Sequence, residues 1–127
     1  MFGSTLKKSG ETDAKHLVNL IYDNRDAVED LLGSKGKPVL EKVITLIQDT
    51  AYAEKWPLKN IEIIYKKDYE VKGWEYVILM LVYNCSFDDA DKYLNKLYSH
   101  LDVLNTKLKS EEASILAELI YFDIKTN

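Results

Sequence analysis

Three observations predict an α+β fold from the sequence. Apolar residues recur at spacings of three, four and seven through the first fifty positions, which is helical periodicity. The period changes to two at Asn60, and an unbroken apolar run from Tyr76 to Tyr83 follows a Lys72-Gly73 turn. Helical spacing then returns before a short apolar stretch near the C-terminus. The expected order is α-α-β-β-α-β: an N-terminal helical hairpin plus a small three-stranded mixed sheet, built from a β-hairpin and a helical crossover, with helices on both faces. Residues 1–11 read as a polar leader and 12–127 as a single α+β domain, with the helical hairpin at 12–55 and the ββαβ unit at 60–125.

The elements are justified in turn. Thr12 or Asp13 is placed to cap a first helix whose stripe is Ala14, Leu17, Val18, Ile21, Val28, Leu31 and Leu32. Gly33 to Gly36 supplies a stop, and Pro38 suits the first turn of a second helix carrying Leu40, Val43, Ile44, Ile47 and Ala51. Trp56-Pro57 ends that helix, because the residue before a proline is pushed out of helical geometry. Ile61, Ile63, Tyr65, Tyr69 and Val71 then alternate with charged residues, as in a half-exposed strand suited to a sheet edge. The run WEYVILMLVYNC, Trp74 to Cys85, has strand length and is too short to span a bilayer, which takes about 20 apolar residues. A strand apolar on both sides belongs at the centre of a sheet covered on both faces. Ser86 caps a long helix through Leu108, Ser110-Glu111-Glu112 opens further turns, and Leu119 to Ile124 forms the last strand.

Composition narrows the function classes. With 46% hydrophobic and 30% charged residues in 127, the chain can bury a core without disulfide staples. The net charge of −4 disfavours a nonspecific polyanion binder. Arg25 is the sole arginine, and so the residue best suited to bidentate phosphate contact is scarce. Lysine in its place also fits an AT-rich genome or a thermophilic or archaeal origin. The single cysteine excludes an internal disulfide and fits a reducing cytoplasm, and the polar start lacks the apolar core of a secretory signal.

Chemistry is sparse. Cys85 lies where a strand meets a helix N-terminus, a place that can activate a thiol, but Asp88, Asp89 and Asp91 oppose a thiolate there. The same three acids complement the helix dipole and lack the spaced loop of a calcium site. His16 and His100 are isolated, and no glycine-rich phosphate loop or serine elbow is present. The expectation is therefore a chain without catalytic residues, cofactor or metal. Two surfaces stand out. The last strand, with Leu119, Ile120, Tyr121, Phe122 and Ile124, is apolar on both sides yet must be an outer strand, which suggests pairing with a second copy or another protein. The segment Lys55, Trp56, Lys59, Tyr65, Lys66, Lys67, Tyr69 and Lys72, ending at Trp74, interleaves lysines with aromatics as single-strand nucleic-acid binders do. The leading expectation is a non-catalytic small interaction module, self-associating or serving as a subunit of a larger cytoplasmic assembly, with no membrane contact. The alternative is a nucleic-acid-associated accessory subunit that uses segment 55–74.

Overall fold

In the computed structural model, residues 18–70 and 73–127 are described. They run as β1 (Asn19–Asp23), α1 (Arg25–Glu54), β2 (Leu58–Asp68), β3 (Trp74–Tyr83), α2 (Phe87–Lys107), α3 (Ser110–Leu119) and β4 (Ile120–Thr126). The α+β class is as expected, but among the described residues the sheet has four strands, not three, in the order β1-β2-β3-β4. β1 runs parallel to β2, β2 antiparallel to β3, and β3 parallel to β4.

The extra strand comes from the segment expected to be the first helix. Leu20-Ile21-Tyr22 is extended, and the helix starts only at Arg25. Asn24 explains the change: in the left-handed region at φ 59°, its side chain accepts a hydrogen bond from the Ala27 amide at 3.2 Å and caps α1. The supposed stripe also had a polar gap between Ile21 and Val28, where Asn24 and Arg25 fall. The expected cap at Thr12 or Asp13 and the polar leader 1–11 lie outside the described residues. Helix α1 is interrupted at Gly33 alone, at φ 68° and ψ −170°, a conformation essentially reserved for glycine. Beyond it Gly36 is buried so closely against Leu32 that a Cβ there would lie 2.8 Å from the Leu32 Cβ. In place of the helical hairpin expected over 12–55, the described residues form the two arms of α1, which meet at a single-residue break.

The hairpin of β2 and β3 forms as expected, with Gly73 at φ 82° in its turn. β2, expected at an edge, is interior, because β1 occupies its outer side. Its charges are tolerated there because one face of the sheet is not covered by any of the described helices. Ile61 and Ile63 of β2, Val77, Leu79, Leu81 and Tyr83 of β3, and Ile120 and Ile124 of β4 share one face and one buried cluster with Val28, Val39, Val43, Ile47, Leu97, Leu101 and Leu116 from the helices. The expectation of helices on both faces is corrected: the three helices pack on one. Lys35–Glu111 at 2.7 Å and Lys42–Glu112 at 3.7 Å bridge α1 to α3 over this layer. Ser86 caps α2 as expected, accepting from the Asp89 amide at 3.2 Å.

Candidate functional site

Side chains alternate across a strand, so each residue between the core positions points to the other face. The register sets them in rows. Asn19, Asn60, Val82 and Lys125 lie abreast; next come Ile21, Glu62, Met80 and Asp123; then Asp23, Ile64, Ile78 and Tyr121; then Lys66 with Tyr76; and Trp74 sits beside Asp68 at the hairpin end. Among the described residues this face carries no helix. Val82 is buried, whereas Ile64, Tyr76, Ile78 and Met80 are half-buried and Ile21 is 46% exposed.

The middle of this face is apolar and its hairpin end aromatic. Trp74, Tyr76 and Tyr121 form a three-ring cluster, with centroids 4.8 Å apart for Trp74–Tyr76, 5.3 Å for Tyr76–Tyr121 and 6.5 Å for Trp74–Tyr121. Trp74 and Tyr121 each remain 38% exposed. Edge-to-face and tilted rings of this kind make a firm platform, since each fixes its neighbour. Glu62 lies 3.8 Å from Lys125 across the sheet. Acids (Asp23, Glu62, Asp68 and Asp123) outnumber the lysines Lys66 and Lys125 on this side.

The expected docking strand, β4, is an outer strand as read from the sequence, because among the described residues it pairs only with β3. Its side chains correct the expectation that it is apolar on both sides. Ile120 and Ile124 are buried in the core, and Leu119 and Phe122 are half-buried against it. Only Tyr121 of the five reaches the open face. β4 is thus apolar on its helix side and mixed on the other.

The lysine-aromatic segment is dispersed. Trp56 is buried and stacks on Tyr93 at 5.2 Å, so it offers no surface for a base. Lys55 forms the left-handed cap of α1 at φ 60°. Tyr65 faces the helix side and donates its hydroxyl to Glu75, while Lys66 points to the opposite face. Lys59 and Lys67 are exposed, Lys67 lies 5.9 Å from the Tyr69 ring, and Tyr69 is 87% exposed. Lys72 lies outside the described residues. The structure therefore does not gather these residues on one surface.

Other chemistry is limited. The half-buried Cys85 thiol donates to the Ser86 carbonyl at 3.3 Å, and burial together with the nearby Asp89 pushes its pKa up, away from the thiolate a nucleophile needs. Among the described residues no group of three or more His, Cys, Asp or Glu is placed to hold a metal ion. His100 is exposed on α2, and His16 lies outside the described residues. No described helix is long and apolar enough to cross a membrane. A cleft of about 410 Å³ lies between β1 and α1, lined by Leu20, Tyr22, Arg25, Ile44 and Gln48.

The open face was missed in the sequence although its signal was present. The even-numbered residues of the apolar run, Tyr76, Ile78, Met80 and Val82, call for a cover as strongly as the odd-numbered ones do. Comparison with protein-family models, curated proteins and solved structures gives no match.

Proposed function

We propose that this chain is a non-catalytic interaction module of the cytoplasm, self-associating or serving as a subunit of a larger assembly, and that the open sheet face is its docking surface. One observation carries the reading. β3 is apolar on both sides, as a strand covered on both faces is, yet the described helices cover only one side. Ile64, Ile78, Met80, Tyr76 and the aromatic platform make a contiguous apolar surface with charges around it, the arrangement of an interface core within a polar rim. The raised thiol of Cys85 speaks against a nucleophilic role.

Light scattering on the full chain tests this, with Ile78→Lys as the probe. Ile78 points away from the core, so the variant should fold. The wild type should run above the 14.7 kDa of a single chain, alone or with co-purifying protein, and the variant at that mass. A wild type and variant of identical assembly size would reject the open face as the docking surface.

The nucleic-acid reading gains one specific observation, the Trp74, Tyr76 and Tyr121 rings beside Lys66, since bases stack on aromatic platforms of open sheets. The excess of acids on the same face disfavours it, because phosphate neutralisation dominates such affinity. Titration of labelled single-stranded RNA and DNA at low salt decides: binding lost in Tyr76→Ala would establish this reading, and no binding would remove it.

A further inference from the structure

The open face has a twofold self-complementarity that singles out its occupant. We infer that it is a second copy of this chain, packed sheet against sheet about an axis that crosses the strands at Ile64 and Ile78; this rests on the open face being the docking surface. Ile64 and Ile78 are direct cross-strand partners and lie in one row with Tyr121. A twofold axis along that row sets each of the three on its own counterpart. It also exchanges the rows on either side. Glu62, one row from the axis, then faces Lys66 of the second copy, and Lys66 faces the second copy's Glu62. Met80 in the same way faces the ring of the second copy's Tyr76, a favourable sulfur–aromatic contact.

Each copy thus sets Glu62, which also lies 3.8 Å from its own Lys125, and Lys66 at equal distances from an apolar centre, as an isologous interface requires, while Asp123 in the Glu62 row lies out on β4. Face-to-face sheets keep their strands within about 30° of each other, so the rows next to the axis stay within reach of these long side chains. The like-charge pairing of Asp23 with its own counterpart falls on the outer strand β1, where solvent screens it. The residues before Val18 are a poorer cover on composition alone, because MFGSTLKKSGETDAKHL is mostly polar.

Charge reversal tests the pairing. Sedimentation equilibrium should give a dimer for the wild type. Glu62→Lys and Lys66→Glu should each weaken dimerisation at least tenfold. Mixing the two variants should restore a dimer, because every facing pair is then opposite in sign, and the double variant in one chain should dimerise by itself. That rescue excludes misfolding as the cause of the single-variant losses. A dimer abolished by Ile78→Lys but indifferent to both charge reversals would overturn the pairing and keep the open face. A dimer indifferent to all three would overturn both. A wild type monomeric at high micromolar concentration would overturn the second copy as occupant, leaving another partner or the chain's own first residues to cover the face.

Discussion

Tyr83 occupies the end of β3 with its ring fully buried between β3 and α2, 5.4 Å from Tyr93. Its hydroxyl has no hydrogen-bond partner among the described residues, and burial pushes its pKa up. A buried hydroxyl without a partner loses its hydration for no return, so Tyr83→Phe should leave stability unchanged or raise it by up to about 1 kcal/mol in chemical denaturation. A clear loss of stability would reveal a partner. Tyr65 differs because its hydroxyl donates to Glu75, and that bond raises its pKa from 10.0 to about 12. The folded chain therefore keeps a proton that the unfolded chain releases. The contribution is whole below about pH 10 and is lost as pH rises to about 12. Wild type should lose stability over that window relative to Tyr65→Phe, as alkaline denaturation would show; parallel curves would contradict the bond. Cys85, with its raised pKa, should react with an alkylating agent more slowly in the folded protein than after unfolding. Among these residues only Cys85 was legible from sequence, through the acids that follow it. Whether Tyr65 faces the core or solvent depends on which side of β2 receives the helices, and alternation alone does not decide that.

Most element boundaries were legible where a cap, a glycine turn or a proline sets them. Ser86 announces α2, Gly73 the hairpin turn, and Trp56-Pro57 the end of α1. The failure at β1 has the same physics: Asn24 is a helix cap, but Ile21 before it also continues the helical stripe of Leu17 and Val18, and only pairing with β2 makes Asn19–Asp23 a strand. β1 in turn moved β2 from edge to interior. Gly33 is the element-scale position where the backbone leaves least choice. At φ 68° and ψ −170° a side chain is strained even though nothing lies within 4 Å of its Cβ position. Gly33→Ala should cost about 1–3 kcal/mol in thermal or urea unfolding without any lost contact. An unchanged midpoint would mean that the break between the arms relaxes to ordinary helix. Gly36→Ala probes a different cause, collision with Leu32, and should destabilise through packing.

At the scale of the molecule, the sheet has a finished side, packed under the described helices, and a side that none of the described helices covers. The finished side buries Ile61, Ile63, Val77, Leu79, Leu81 and Tyr83 beneath three helices, so Leu79→Ala should cost about 2–5 kcal/mol. The neighbouring residue, Ile78, looks the other way and should tolerate even lysine in the folded monomer. The sequence signalled that β3 needs two covers, but that the described helices supply only one of them emerges only from the topology. Hydroxyl-radical footprinting tests most directly whether that second cover exists, because it reports side-chain accessibility residue by residue. In the wild type at high concentration, Trp74, Tyr76 and Met80 should oxidise slowly while Tyr69, 87% exposed, oxidises fast. On dilution, or in Ile78→Lys, the first three should become fast and Tyr69 should not change. Fast oxidation of Trp74, Tyr76 and Met80 at every concentration, or protection that survives both dilution and Ile78→Lys, would contradict docking of a partner on the open face.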